Sequence, residues 1–160
     1  VNLTKRAAEI GELLQSKSLT ISAAESCTGG LLTSTLTNIS GSSAYVIGSV
    51  VSYDNSIKQG VVGVNEQTLI DYGAVSEQTA HEMANGVRKL IKTNIGVGIT
   101  GIAGPGGGTD EKPVGLTYIS ASDGEKTLIK RFVWDGDRIA NKISSVEAAL
   151  DLIEELVNQN

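Results

Sequence analysis

Helical and strand signals alternate along most of the chain, a single hairpin interrupts them, and a glycine-rich break follows one wholly apolar strand. Together these predict an α/β fold: a three-layer α/β/α sandwich on a mixed, mostly parallel sheet of about five strands with one antiparallel hairpin. The 160 residues suffice for one such domain, taken as 1–160, with a core of useful size.

Leu3, Ala7, Ile10 and Leu14 recur at helical spacing, with Asn2 placed to cap the helix and an end expected near Lys17. Leu19, Ile21 and Ala23 alternate with polar residues as a short strand, and Gly29-Gly30 then leads into a helix carrying Leu31, Leu32 and Leu36. A second strand is expected over Ile47–Tyr53, followed by a short helix near Ile57 and another over Glu66–Tyr72. Ala80, Ala84, Val87 and Ile91 mark a helix over Glu77–Lys92 with Ser76 as its cap. Ile95–Thr100 reads as a buried strand, and the run from Gly101 to Gly108 must be loop. Val114–Ala121 and Thr127–Trp134 alternate as strands around the turn signal Asp123-Gly124, so they should pair antiparallel. The last helix runs from about Asp137, its cap, to Val157, with Ile139, Ile143, Val146, Leu150, Ile153 and Val157 as its apolar stripe.

Composition removes whole classes of function. Lysine and arginine number 13 against 18 acids, a net charge of -5, so there is no basic surplus for a phosphate backbone and nucleic acid is not an expected partner. No apolar run approaches the ~18 residues of a membrane span, and the N-terminal residues do not read as a secretory signal, which leads to the expectation of a cytoplasmic protein. One cysteine and one histidine cannot build a disulfide or a structural zinc site. The chain begins with Val1, which fits a free-standing protein and a piece of a longer one alike.

Ligands of open α/β sheets collect beyond the carboxyl ends of strands. Three polar joints belong there: Glu25–Gly30, Tyr53–Lys58 and Thr100–Pro105. Gly96-Val97-Gly98-Ile99-Thr100-Gly101 matches a dinucleotide-binding pattern, but it lies inside a strand and leads to no helix; a Walker A lysine is absent too. His81, beside the apolar position Ala80, reads as a surface or boundary residue, and Cys27 as a small buried apolar one. Ser26, at a strand-to-helix turn, is either a helix cap or a nucleophile facing converging backbone N–H groups. Lys58 bears on that choice, since a lysine shielded from water can lose its proton and serve a serine as general base. Spacing alone leaves both readings open.

Four ordered blocks resemble a known family. Ala24-Glu25-Ser26-Cys27-Thr28-Gly29-Gly30, Gly73-Ala74-Val75-Ser76, Thr100-Gly101-Ile102-Ala103-Gly104-Pro105 and Lys112-Pro113-Val114-Gly115 are similar to signatures of the C-terminal domain of the competence/damage-inducible protein CinA. That resemblance implies a bacterial amidase converting nicotinamide mononucleotide to nicotinate mononucleotide and ammonia, in the recycling of pyridine nucleotides toward NAD. It implies Ser26 as nucleophile and Lys58 as base, with Tyr53, Thr100 and Arg138 at further active-site positions and no metal or cofactor. Thr28, Gly29, Gly30, Gly101 and Gly104 are expected around the substrate, with oxyanion-binding N–H groups near Thr28–Gly30 or Thr100–Gly101. Asp54, where the family pattern often has a small residue, would hold Lys58 charged if the two met. A homodimer is compatible with this reading. Two other functions are carried beside it: a non-catalytic nucleotide-binding regulatory module, in which Ser26 only caps a helix, and a metal-dependent pyrophosphatase using Glu25 and Asp54.

Overall fold

The computed structural model describes residues 2–159; Val1 and Asn160, the ends of the expected domain, lie outside them. The elements run α1 (Leu3–Ser16), β1 (Ile21–Glu25), α2 (Leu31–Thr37), a 3-10 turn (Ser42–Ala44), β2 (Val46–Val51), α3 (Asn55–Gly60), α4 (Glu66–Tyr72), α5 (Glu77–Ile91), β3 (Ile95–Gly101), β4 (Leu116–Ser122), β5 (Thr127–Val133) and α6 (Arg138–Asn158). The expected caps are in place: Asn2, Ser76 and Asp137 accept hydrogen bonds from the amides of Lys5, Thr79 and Ala140.

The sheet order is β2-β1-β3-β4-β5. β1 pairs in parallel with both β2 and β3, and the β3–β4 and β4–β5 pairs are antiparallel, so every strand except β4 points the same way. The chain leaves β1 toward β2 on one side, then returns through α3, α4 and α5 to place β3 on the other. The carboxyl end of β1 is therefore the point where connections diverge, the crevice that open sheets offer to ligands.

Side-chain alternation along β1 and β3 divides the two faces. Ala23, Cys27, Val97 and Ile99 pack with α1, α2 and α6 in the larger core, which includes Ile10, Leu14, Val146, Leu150 and Ile153. Ala24 belongs to a smaller cluster with Val62, Met83 and Val87 on the α5 side. Gly96 and Gly98 also face α5. A Cβ on either would stand 2.2 Å from the Ala84 carbonyl oxygen or 2.7 Å from that of Ala80, so these glycines let the helix lie directly on the strand. The dinucleotide-like pattern is thus a packing feature.

Several boundaries differ from the sequence expectation. β2 ends at Val51, which frees Ser52 and Tyr53 as loop, and β1 begins at Ile21 and is buried along its whole length. The hairpin tip is Gly124-Glu125, one residue later than expected: Asp123 N donates to Lys126 O, and Gly124 takes φ +92°. At the start of α6, Ile139 and Ile143 are exposed, while Asn141 and Ser145 are buried in their place. Asn141 donates to Ala103 O and accepts from Gly136 N, and Ser145 accepts from the Trp134 indole, so this end of the helix is a polar clamp on the neighbouring loops. No described helix is long and apolar enough to cross a membrane.

Candidate active site

Ser26 directly follows β1, where its amide donates to Ile99 O at 2.9 Å and its carbonyl accepts from Gly29 N. Alternation turns the Ser26 side chain toward α3 and Cys27 into the core. Lys58 sits on α3, which is short but fixed at its start by Asp54, whose carboxylate accepts from the Ser56 amide at 3.0 Å and hydroxyl at 2.6 Å. The Lys58 side chain is 1% exposed, and its Nζ lies 2.9 Å from Ser26 Oγ, 2.9 Å from Ser52 O and 2.9 Å from Tyr53 O. The early end of β2 supplies those two carbonyls.

Burial lowers the Lys58 pKa below the ordinary lysine value of 10.5. The Asp54 charge opposes that shift without pairing with the lysine: the ion pairs among the described residues join Arg6 to Glu9, Asp151 and Glu154, and Lys130 to Glu155. Asp54 thus acts on Lys58 through its charge alone, while its carboxylate is engaged in capping α3. Burial pushes the Cys27 thiol up to about 11, so at neutral pH it is an uncharged core side chain.

A cavity of about 270 Å³ opens over the pair. Ser26, Tyr53, Lys58, Thr100, Gly101, Gly104 and Arg138 all line it, brought together from three strand ends and the start of α6. Thr28, Gly29 and Gly30 do not, and the reason is Glu25. Its buried carboxylate accepts from Thr28 Oγ1 (2.7 Å), Leu32 N (2.8 Å), Thr33 N (3.0 Å) and Thr33 Oγ1 (2.7 Å), closing the first turn of α2 on itself. The Gly29 amide is also engaged, by Ser26 O. Glu25 and Asp54 are therefore both helix caps, which removes the metal-dependent reading that used them. Among the described residues no group of three His, Cys, Asp or Glu side chains is placed to hold a metal. His81 is exposed on α5 and is not among the residues lining the cavity.

The other candidate for an oxyanion donor fits better. Ile102 N donates to Leu116 O across β3 and β4. Antiparallel ladders alternate, so the amide of Gly101, one residue earlier, points away from β4 toward the end of β1 and Ser26. Thr100 lies in the wall with its hydroxyl donating to Ala74 O at 2.7 Å. The hydroxyls of Ser76 and Thr79 donate to Gly73 O, and Lys112 Nζ donates to Tyr72 O. Successive carbonyls of the Tyr72–Ala74 segment are thus held by side chains, and this presents Ala74 and Val75 to the cavity. Asn55, Ala74, Val75 and Ile102 also line the cavity without standing out as site residues in the sequence; the signals for them are the Tyr53–Lys58 joint and the quoted blocks at Gly73–Ser76 and Thr100–Pro105. Arg138 spans the mouth, donating to Gly104 O at 2.6 Å and to the Tyr53 hydroxyl at 3.2 Å. The Ala140 amide of the same helix turn is taken by Asp137, so it is not free to face the mouth beside the guanidinium.

Comparison with known proteins gives a consistent result. A family model described as CinA C-terminal domain matches residues 3–157. A CinA-like protein of Chloroherpeton thalassium is 50% identical over 153 residues, covering 93% of this chain and 36% of that protein. A competence-damage inducible protein of Desulforudis audaxviator is 47% identical over 150 residues, with coverages of 94% and 36%. The chain thus spans just over a third of the length of these curated relatives. Among solved structures, the competence/damage inducible protein CihA of Agrobacterium tumefaciens superposes with a TM-score of 0.93 at 39% identity, covering 98% of this chain and 95% of that one. A CinA superfamily protein of Klebsiella pneumoniae superposes over the whole of both chains with a TM-score of 0.96 at 28% identity.

Proposed function

This chain belongs to the CinA C-terminal domain family, and from that premise we propose that it is an amidohydrolase that cleaves the carboxamide of nicotinamide mononucleotide through a serine–lysine pair. The observation that carries the reading is Lys58: a lysine 1% exposed, 2.9 Å from a serine hydroxyl at the floor of an open cavity, with no carboxylate in ion-pair contact. A structural lysine buried so deeply would ordinarily be paired.

In the proposed reaction, neutral Lys58 accepts the Ser26 hydroxyl proton as Oγ attacks the carboxamide carbon. The negative charge on the former carbonyl oxygen is met by the Gly101 amide. The tetrahedral adduct collapses as the C–N bond breaks, and the Lys58 ammonium returns its proton to the departing nitrogen, releasing ammonia and leaving an ester on Ser26. Water then attacks that ester. Lys58 takes the water proton, the C–Oγ bond breaks, and the proton passes back to Ser26, freeing nicotinate mononucleotide. Ala74 and Val75 would flank the pyridine ring, and Arg138 would face the phosphate. In this scheme the protein works as a soluble cytoplasmic enzyme that needs neither metal nor cofactor.

The experiment is ammonia release from nicotinamide mononucleotide with Ser26→Ala as control. Release that depends on Ser26 supports the enzyme. Binding of the nucleotide without turnover would instead favour the regulatory module.

A further inference from the structure

The block Lys112-Pro113-Val114-Gly115 stands out in the sequence, yet none of its residues lines the cavity. Its contacts give it a different task. The loop that carries it is closed at its base, where Ile102 N donates to Leu116 O at 2.9 Å and Gly115 N to Ile102 O at 2.7 Å. Inside the loop Val114 packs against two glycines: a Cβ on Gly104 would stand 2.5 Å from Val114 Cγ1, and one on Gly108 2.6 Å from the Val114 amide nitrogen. Thr109 and Lys112 hold each other, Thr109 N donating to Lys112 O at 2.8 Å and Lys112 N to Thr109 Oγ1 at 3.0 Å. A loop with paired ends and its own internal packing moves as one piece, and this piece presents Gly104, Gly106 and Gly107 to the cavity.

The first limb of the loop is fixed to α6, by Arg138 on Gly104 O and Asn141 on Ala103 O. The far limb is fixed by Lys112, whose Nζ donates to Tyr72 O. Tyr72 ends α4, a helix with no basic residue in its own last turn, so the ammonium meets a terminal carbonyl that has no partner within the helix. Gly73 follows with φ +81°, and a Cβ there would stand 2.9 Å from Lys112 Nζ. The blocks at Gly73–Ser76 and Lys112–Gly115 are thus two halves of one contact. Ala74 and Val75, next in the chain, line the cavity, and Ala74 O is pinned to β3 by Thr100. Lys112 therefore joins two wall segments, Ala74–Val75 and Gly104–Gly107, while standing outside the cavity itself.

We propose that Lys112 is a positioning residue for the Ser26–Lys58 site: it latches the glycine loop to the end of α4 and so sets the separation at which the two segments hold the planar ring of a carboxamide substrate. The identity of the ring rests on the amidase reading above. Without the latch the loop keeps its base and its α6 contacts, but its far limb is loose, and the ring is held less closely over Ser26. Small misplacements of a reacting group are costly.

The test uses Lys112→Met, which keeps the stem and removes the donor, Lys112→Gln, whose amide stops short of the carbonyl, and Lys112→Arg, which restores a donor. Amide hydrogen exchange reads the latch itself. In Lys112→Met and Lys112→Gln, peptides covering 103–112 and 70–76 should exchange about tenfold faster or more while those of β1 and β3 are unchanged, and Lys112→Arg should keep the parent rates. Nicotinamide mononucleotide and nicotinamide riboside are then titrated into the Ser26→Ala protein, where turnover does not interfere. Lys112→Met should weaken both about fivefold or more and by the same factor, because the latch serves the ring they share, and Lys112→Arg should restore both. In the active protein kcat/KM should fall at least as far. A merely stabilising contact would speed exchange across β1 and β3 as well and leave both affinities at the parent values. Loop exchange at the parent rate overturns the proposal, as do affinities that are unchanged or lost for the nucleotide alone, and a parent that binds neither ligand. Undiminished ammonia release from Lys112→Met would overturn it and leave the amidase standing. Binding and loop exchange that depend on Lys112, in a parent that releases no ammonia, would uphold the latch and sink the amidase.

Discussion

The Nζ of Lys58 stands 2.9 Å from Ser26 Oγ, and its other neighbours, the carbonyls of Ser52 and Tyr53, are both hydrogen-bond acceptors. A neutral amine has two N–H groups and one lone pair. With the N–H groups directed at the two carbonyls, the lone pair faces the serine hydroxyl. In the proposed mechanism the backbone would thereby orient the base, a task that a carboxylate performs for histidine in serine hydrolases.

The proposed mechanism makes the pair one catalytic unit. Ser26→Ala and Lys58→Ala should each reduce kcat by about a thousandfold or more, and the double variant should be scarcely worse than either, because effects within a catalytic unit are far from additive. Independent, multiplying losses would separate the two residues mechanistically. Single-turnover rates on the three variants decide the matter.

Burial of Lys58 makes a second prediction, for both rate and stability. Its folded-state pKa is below 10.5, so kcat/KM should rise with pH through a limb lying below that of a solvated lysine. The same shift means that the unfolded chain holds more protons than the folded one between the lowered value and 10.5, and stability must increase with pH across that window. The penalty for charging the buried amine is fully present below the folded-state pKa and gone above 10.5. Lys58→Met removes the titrating group, so its stability relative to the parent should fall steadily as pH rises through the window. Urea melts at a series of pH values would show a constant difference if Lys58 were effectively solvated.

Glu25 makes a third prediction, separating capping from metal chemistry. Its carboxylate accepts four hydrogen bonds at the start of α2, from Thr28, Leu32 and both donors of Thr33. Glu25→Ala leaves those buried donors unmet and should cost about 2–4 kcal/mol in urea unfolding. Glu25→Gln keeps one acceptor oxygen and should cost less. Chelators should leave both activity and stability of the parent unchanged; a loss in EDTA restored by a divalent ion would contradict the capping role.

These residues also show how far the sequence could be read. The helices announced themselves through periodicity and caps, and the joints at the ends of β1, β2 and β3 were legible as polar breaks after apolar strands. Ser26 and Lys58 were visible as candidates, but not their contact, because Lys58 is buried by a six-residue helix whose placement depends on β2 ending before Ser52. Capping by Glu25 was hidden for a different reason: a buried carboxylate near a glycine turn reads equally as a ligand or an acid until its donors are located. Along α6 the periodicity puts Ile139 and Ile143 in the apolar stripe, whereas the fold buries Asn141 and Ser145 there. A helix end that packs against loop carbonyls needs donors, and a hydrophobicity pattern cannot report that need.

The last prediction concerns Arg138, which braces the cavity wall and is proposed to meet the phosphate as well. Its guanidinium holds Gly104 O at 2.6 Å and the Tyr53 hydroxyl at 3.2 Å, and the remaining N–H groups are the ones proposed to meet the phosphate. Arg138→Ala would therefore remove the proposed anion contact and also loosen the loop that forms one wall of the cavity. Charge-assisted hydrogen bonds contribute about 1.5–3 kcal/mol each, so kcat/KM for nicotinamide mononucleotide should fall by about 10–150-fold from the phosphate contact alone. For nicotinamide riboside only the loop effect applies, and the loss should be smaller by that same factor. Tyr53→Phe isolates the structural part: it removes the hydroxyl acceptor, leaves the guanidinium on Gly104, and should affect both substrates equally and mildly. Arg138→Lys should recover part of the nucleotide activity, since an ammonium supplies charge without the planar fork that spans loop and ligand together. If Arg138→Ala reduced both substrates by the same factor, the arginine would be a brace for the Gly104 loop, and the phosphate would have to be held elsewhere.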